Sequence, residues 1–308
     1  MNGTRDAFTG TERPRLRFAP SPTGQLHIGS AASALLNHTL ARQWGGVFLI
    51  RIEDTDLGRC REAFVDSILD DLGWLGLTSD EPVVRQSRHF ERYAHSLDAL
   101  RQRGLVYPCF ATRSVIAAAV AGKPHHPRDP DGAPIYPGLH KHLTASEAAA
   151  RQLAGEPVAW RLDMAAALAQ LNQILGDQPL TYRALQPDRS IVNLTCTPER
   201  WGDLIIGRKD TPTSYHLSVV VDDAYQAISH VVRGRDLQAA TDIHRLMQVL
   251  LDLPDPVYLH HELIFDPDGR KLSKSARDTS IADLRAAGAT PEDIYSRVRE
   301  ILIWADQK

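Results

Sequence analysis

The stretch Arg17-Phe-Ala-Pro-Ser-Pro-Thr-Gly-Gln-Leu-His-Ile-Gly-Ser30 decides how the first part of this chain folds. Residues 16–19 form a short, partly apolar run that predicts a buried strand, and the prolines and glycine after it predict a turn. Leucines at helical spacing then follow from residue 26 onward. The chain thus presents His27 and Gly29 at a predicted helix N-terminus, where backbone N–H groups and the helix dipole favour a phosphate.

The composition is that of a globular protein, with 308 residues, 43% hydrophobic and 24% charged. This length is sufficient for two domains, and the formal net charge of −3 means that any nucleic-acid contact needs a local basic surface. Cys60, Cys109 and Cys196 are scattered and odd in number, which favours reduced thiols in a cytoplasm. We find neither a secretory signal nor an apolar run long enough for a membrane, so we expect a cytoplasmic protein without a membrane partner.

Strands and helices alternate along much of the chain. The run Val47-Phe-Leu-Ile-Arg-Ile52 predicts a strand that ends in Glu53-Asp-Thr-Asp56, which places carboxylates at the edge where α/β sheets bind ligands. Helical spacing follows, and we predict later strands at residues 215–223, 227–233 and 262–265. This alternation predicts an α/β fold with a Rossmann-type, doubly wound parallel sheet.

The pattern changes between residues 108 and 208, where an irregular loop at 124–137 is followed by mixed helical and strand-like runs. We interpret this part as an inserted, smaller α+β domain. The predicted divisions are residues 1–107 for the first half of the core, 108–208 for the insert, 209–276 for the second half, and 277–308 for a short helical C-terminus.

A second motif, Lys271-Leu-Ser-Lys-Ser275, follows the turn signal Asp266-Pro-Asp-Gly269. The chain has no Walker-type loop and no Gly-x-Gly-x-x-Gly fingerprint, which argues against a P-loop kinase or an NAD enzyme. Lysines in this loop could instead supply positive charge opposite His27 during displacement at the α-phosphate of ATP. Taken separately, the two motifs also fit a turn with a surface histidine and a solvated basic loop.

Together the two motifs resemble the paired HIGH and KMSKS signatures of class I aminoacyl-tRNA synthetases. The first phrase, with Arg51-Ile-Glu-Asp-Thr-Asp56 after it, is similar to the glutamyl-tRNA synthetase branch, and the resemblance extends from residue 15 to residue 301. It implies ATP with Mg²⁺, catalytic roles for His27, Gly29, Ser30, Lys271 and Lys274, and ATP binding by His27, Gly29 and Lys274. Ser30 replaces a histidine and Leu272 a methionine, and neither departure changes the expected use of ATP.

The charges of the expected amino acid indicate which side chains its pocket needs. Glutamate carries two carboxylates and one ammonium, so its pocket needs two arginines and one acid. The resemblance places Arg17, Ser21, Glu53, Tyr215 and Arg233 around the amino acid, with Phe18, Ala19 and Pro20 beside them. Which arginine binds which carboxylate stays open, and surface salt bridges are the alternative explanation for these charges.

The chain ends at Lys308, where glutamyl-tRNA synthetases continue into a helical domain that reads the anticodon. We therefore expect no anticodon-binding domain, and the length resembles the shortened paralogues of the glutamyl-queuosine tRNA(Asp) synthetase family. That resemblance implies glutamate activation without tRNA, transfer of glutamate to queuosine in the anticodon of tRNA(Asp), and a monomer. The alternatives are a discriminating glutamyl-tRNA synthetase charging tRNA(Glu), a catalytically idle glutamate- or tRNA-binding paralogue, and a small-molecule nucleotidyltransferase.

A zinc site often accompanies this family, and the matching positions here are Cys109, Ala111, Tyr136 and His140. One cysteine is lost and another has become a histidine, so only two strong zinc ligands are left of the four that zinc prefers. We predict no metal site at these degenerate positions, and a site rebuilt with neighbouring histidines is the alternative.

Overall fold

The computed structural model describes residues 13–263, 279–299 and 301–302. The strands are β1 (Arg15–Phe18), β2 (Val47–Ile52), β3 (Val84–Arg85), β4 (Val106–Cys109), β5 (Ala159–Leu162), β6 (Thr181–Leu185), β7 (Ile191–Thr195), β8 (Ile205–Gly207), β9 (His230–Gly234) and β10 (Val257–His261). The helices are α1 (Ile28–Gln43), α2 (Glu62–Trp74), α3 (Phe90–Gln102), α4 (Arg113–Val120), α5 (Ala145–Leu153), α6 (Met164–Leu175), α7 (Tyr215–Tyr225), α8 (Thr241–Leu250), α9 (Ile281–Ala286) and α10 (Pro291–Arg297).

The larger sheet has seven strands in the order β3-β2-β1-β9-β10-β6-β7. All neighbouring strands are parallel except β6 and β7, which form an antiparallel pair at one edge. Parallel pairing brings the carboxyl ends of β1, β2, β9 and β10 to the same edge of the sheet. The predicted Rossmann-type α/β fold is therefore confirmed.

Apolar side chains cover both faces of this sheet. Alternate residues of β9 point to opposite faces, so Val231 belongs to one hydrophobic cluster and Val232 to the other. The same alternation separates Tyr258 from Leu259 in β10. Burial on both faces is what a doubly wound sheet requires.

A smaller antiparallel sheet is formed by β4, β5 and β8 in the order β4-β5-β8. The predicted insert, residues 108–208, does not follow the division between the two sheets. The smaller sheet begins at Val106, and β6 pairs with β10 in the larger sheet. The division of the chain into domains remains a prediction.

One strand prediction in the second half of the chain is wrong, and a second can be compared with the structure over only half of its length. Residues 215–223 lie in helix α7, which is largely buried between α3, α8 and strand β8 of the smaller sheet. A helix without a solvent-facing side loses the polar stripe that identifies it, and its valine run then resembles a strand. For the strand predicted at 262–265, Glu262 and Leu263 lie beyond β10, which ends at His261, and residues 264–265 lie outside the described part.

The helices within the described residues include none that is both long and apolar enough to span a bilayer.

Candidate active site

A cavity of about 380 Å³ opens at the carboxyl ends of β1, β2 and β9. All of the predicted glutamate- and ATP-site residues in the described part of the chain line it: Arg17, Phe18, Ala19, Pro20, Ser21, His27, Gly29, Ser30, Glu53, Tyr215 and Arg233. Lys271 and Lys274 lie outside the described residues. The structure thus brings together groups as far apart in sequence as Arg17 and Arg233.

The turn after β1 fixes the imidazole at the start of α1. His27 is the N-cap of this helix, and its Nδ1 accepts a hydrogen bond from the backbone N–H of Ser30 at 3.3 Å. With Nδ1 as acceptor, the neutral ring carries its proton on Nε2, which lies 2.8 Å from Ser30 Oγ. The serine that departs from the HIGH signature therefore orients His27.

The first residues of α9 are fastened to the same turn. The backbone N–H of Ile281 donates to the carbonyl of Leu26 at 2.8 Å, and Ser280 forms a β-bridge with His27. Ser280 also caps α9 through a capping box with Asp283. Residues 280–281, which follow the lysine motif closely in sequence, therefore lie beside His27.

Two buried arginines and two acids form a balanced ionic cluster beside the cavity, which Arg17 and Glu53 line. Arg17 donates to both oxygens of Asp223, from Nε at 2.9 Å and from Nη2 at 3.2 Å. Arg51 links the two acids, with Nη1 2.8 Å from Asp223 Oδ1 and Nη2 3.2 Å from Glu53 Oε1. Burial opposes ionisation of Asp223, but Arg17 and Arg51 outweigh it and lower the pKa of that carboxyl.

Glu53 differs from Asp223 in the balance of these effects. Burial raises the pKa of Glu53 above its ordinary value, although Arg51 and Arg17 act in the opposite direction. An ammonium group placed beside this carboxylate would stabilise its ionised form. Glu53 is therefore suited to receive the amino group of an amino acid.

Arg233 also lines the cavity and has only neutral partners among the residues that the structure describes. Its Nη1 lies 3.0 Å from His244 Nδ1 and 3.4 Å from the Tyr215 hydroxyl. Its Nη2 donates to Thr241 Oγ1 at 2.9 Å, and its Nε lies 3.4 Å from His260 Nε2. Burial raises the pKa of Tyr215, so this hydroxyl keeps its proton at neutral pH.

Sequence reasoning missed several of these groups. Arg51 entered only as part of a family phrase and Asp223 only as the end of a predicted strand, and nothing in the sequence singled out His244. The double acid Asp222-Asp223 after an apolar run is the signal that could have been used, because two adjacent buried acids need partners. Asp222 accepts hydrogen bonds from Gln86, Arg92 and Tyr93.

The degenerate zinc positions form a second, partly buried polar group, which we call the Cys109 cluster: Cys109, Tyr136, His140, Arg151 and Arg161. Cys109 Sγ lies 3.4 Å from the Tyr136 hydroxyl, 3.4 Å from Arg161 Nε and 3.9 Å from His140 Nδ1. The guanidinium of Arg161 also lies 3.8 Å from the centre of the Tyr136 ring. Each polar group in this cluster thus already has a partner within the protein.

These residues do not fit a zinc ion. His140 Nδ1 accepts from the backbone N–H groups of Phe110 and Ala111, both at 3.2 Å, and its Nε2 lies 3.1 Å from Arg151 Nη1. Ala111 offers no ligand atom, and Arg161 places a positive charge against the thiol that zinc would need. The described ranges hold no group of three or more His, Cys, Asp or Glu residues placed to bind a metal.

Comparison with known proteins agrees with this geometry. The family described as "tRNA synthetases class I (E and Q), catalytic domain" matches residues 14–306. Glutamyl-Q tRNA(Asp) synthetase of Rhodobacter capsulatus is 43% identical, over 90% of this chain and 97% of that protein. A glutamate–tRNA ligase of a Synechococcus species is 38% identical over 90% of this chain, which spans only 56% of the ligase.

A solved structure shows the same fold. The crystal structure of glutamate–tRNA synthetase from Elizabethkingia anophelis superposes with a TM-score of 0.68 and 25% identity, over 90% of this chain and 54% of that chain. The chain thus spans about half the length of the glutamate–tRNA ligases that it resembles. It is an aminoacyl-tRNA-synthetase-like ligase, as its two motifs predicted. The chain belongs to the glutamate and glutamine branch of the class I tRNA synthetases and, within that branch, to the family of glutamyl-Q tRNA(Asp) synthetase.

Proposed function

We propose that this protein activates L-glutamate with ATP and transfers the glutamate to queuosine in the anticodon of tRNA(Asp). The observation that carries the activation step is the cavity itself, which Arg233 and Glu53 line together with the N-terminus of α1. Cationic and anionic groups on its walls match the carboxylates and ammonium of glutamate. His27 lies on the same cavity, at a helix end suited to phosphate.

The amino acid is placed by charge. Its ammonium lies against Glu53, whose carboxylate is already oriented by Arg51. One of its carboxylates lies against Arg233, because this guanidinium faces the cavity without a carboxylate partner among the described residues. Arg17, held by Asp223, lines the same cavity and can donate to the second carboxylate from its remaining N–H groups.

ATP binds with its phosphates toward His27 and Gly29, and Mg²⁺ enters with those phosphates. The Nε2 proton of His27 faces Ser30 Oγ at 2.8 Å, and a non-bridging oxygen at the α-phosphate would take the place of that hydroxyl as its acceptor. Lys271 and Lys274 are assigned by resemblance alone to the charge that leaves with pyrophosphate. Replacing Lys274 with Ala is expected to lower kcat more than it raises KM for glutamate.

We propose the acceptor of the glutamyl group from the relative that this chain covers over nearly its whole length. Glutamyl-Q tRNA(Asp) synthetase of Rhodobacter capsulatus is covered over 97% of its length, whereas the Synechococcus ligase is covered over 56%. A stem-loop presents unstacked bases to a compact site, and a hydroxyl of queuosine's vicinal diol can replace the terminal ribose hydroxyl as nucleophile. We further propose that the protein works as a cytoplasmic monomer.

The function is tested in two stages. Pyrophosphate exchange with glutamate, ATP and Mg²⁺ but without tRNA is expected to be positive, and a flat response to glutamate would contradict the activation step. Labelled glutamate is then expected to enter tRNA(Asp) only when queuosine is present, and to remain after the tRNA 3′ end is removed. Label on tRNA(Glu) that is lost when the terminal ribose is oxidised beforehand would favour a glutamyl-tRNA synthetase instead.

A further inference from the structure

Arg233 is a buried cation whose counter-charge is missing from its immediate surroundings. Its side chain is buried, and within the described ranges no carboxylate lies at ion-pair distance from it. Removing a guanidinium from water without a counter-ion is costly unless its N–H groups are hydrogen-bonded. The N–H groups of Arg233 are hydrogen-bonded to neutral acceptors, and its positive charge has no counter-ion among the described residues.

The acceptors come from three different elements. Thr241 and His244 lie on α8, His260 lies on β10, and Tyr215 begins α7. The Thr241 hydroxyl lies 3.2 Å from His260 Nε2, and so links two of these acceptors to each other. The ring of Tyr258 lies beneath the guanidinium, with its centre 5.5 Å from the carbon of that group.

The hydrogen-bond directions require the histidines to be neutral. His244 Nδ1 faces the N–H donors of Arg233, so the ring carries its proton on Nε2 and donates it to His216 Nδ1 at 3.3 Å. His260 Nε2 likewise accepts from Arg233 Nε and carries its proton on Nδ1. Burial, followed by the charge of Arg233, lowers the pKa of His216 to about 4 and that of His260 to about 2.

We infer that His244 is a positioning residue for the amino acid: it holds Arg233 in place as a neutral acceptor, so that the full positive charge is available to a substrate carboxylate. An acidic residue would hold the guanidinium equally well but would neutralise it, as Asp223 does for Arg17. His260 acts in the same way on Nε. This inference rests on the proposed activation of glutamate.

The test uses two variants that differ in charge and hardly in shape. In His244→Asn the amide oxygen can replace Nδ1 as a neutral acceptor, whereas His244→Asp places a carboxylate at the same position. Both variants and the unmodified protein are compared by pyrophosphate exchange, with KM for glutamate, KM for ATP and kcat measured separately.

We expect KM for glutamate to be at least about tenfold higher in His244→Asp than in His244→Asn, because a carboxylate near Arg233 competes with the substrate. KM for ATP is expected to be equal in the two variants, since His244 does not line the cavity. Equal KM values for glutamate in the two variants would overturn the inference. So would a difference that appears equally in KM for ATP.

A second pair guards against a folding defect at this buried position. His260→Gln keeps an acceptor near the position of Nε2, and His260→Glu adds a charge there, so the same ordering of KM values is expected. Thermal unfolding of all four variants identifies those that are folded. A flat response of the unmodified protein to glutamate would contradict the proposed function; an active protein without the charge effect would contradict only the inference about His244.

Discussion

The cavity wall at Arg233 and the Cys109 cluster are built from similar parts and differ in what they leave available. Each has a buried guanidinium near a tyrosine ring and a histidine. Arg161 donates hydrogen bonds to Cys109 Sγ and, at 2.7 Å, to the carbonyl of Asp203. It does not line the cavity. Arg233 is held by neutral acceptors and faces the cavity.

This difference indicates how the same residue types serve either binding or structure. A buried cation that has only neutral neighbours and lines a cavity is stabilised when an anion enters that cavity. A cation packed between a thiol, a carbonyl and an aromatic ring has no space beside it for an anion. Its contacts stabilise the fold instead. The comparison therefore predicts that changes at Arg233 affect substrate binding, whereas changes at Arg161 affect stability.

The largest effect is expected for Arg233→Met. Methionine is uncharged and leaves no buried cation, so we expect a folded protein whose KM for glutamate rises about 100-fold or more. Pyrophosphate exchange measures KM, and thermal unfolding checks the fold. A KM within a few-fold of that of the unmodified protein would remove Arg233 from the amino-acid site.

The next effect concerns pH. Glu53 must be ionised to attract the ammonium of glutamate, and burial raises its pKa above its ordinary value of 4.5. As the pH falls through this raised pKa, Glu53 gains a proton, and KM for glutamate is expected to rise by about tenfold per pH unit. This limb lies above the pH at which the side chain of free glutamate is protonated.

The matched control for the pH effect is Glu53→Gln, which has the same shape and no titrating group. We expect this variant to have a high KM for glutamate that is nearly independent of pH over the same interval. An acid limb that persists in Glu53→Gln would assign the titration to another group.

A smaller effect is expected for Arg161→Met, the counterpart of Arg233→Met in the Cys109 cluster. Loss of two hydrogen bonds and of the contact with the Tyr136 ring is expected to lower the free energy of unfolding by about 2–3 kcal/mol. KM for glutamate is expected to change by less than about twofold, because Arg161 is not on the cavity wall. Denaturant unfolding and pyrophosphate exchange give the two numbers, and a rise in KM without loss of stability would reverse the comparison.

The smallest effect is expected from removing metal. Because the Cys109 cluster does not fit zinc, we expect elemental analysis to find less than one zinc per chain and a chelator to leave the unfolding temperature unchanged. One tightly held zinc per chain would overturn this expectation and point to Cys109 and His140.

Restoring the lost zinc ligands tests whether Arg161 excludes the metal from the Cys109 cluster. Ala111→Cys combined with His140→Cys and Arg161→Met restores thiols at the two lost positions and removes the competing charge. This triple variant is expected to bind zinc more tightly than the double variant that keeps Arg161. Equal affinity would show that the guanidinium does not exclude the metal.

The sequence by itself determined the features that depend on neighbours along the chain. The strand, turn and helix over residues 15–43 follow from proline, glycine and leucine spacing, and the acids after β2 follow from where its apolar run ends. The resemblance carried by two short motifs indicated the fold and the kind of enzyme, and both are confirmed.

Only the tertiary structure decided how buried charges are paired. Arg17 and Asp223 are 206 residues apart, and no local pattern states that they meet or that Arg233 meets only neutral groups within the described ranges. Helix α7 was predicted as a strand for a related reason, since a helix buried on nearly all sides has no polar face to reveal its period. Periodicity reports which side of an element faces solvent, whereas the partner of a buried charge is set by long-range packing.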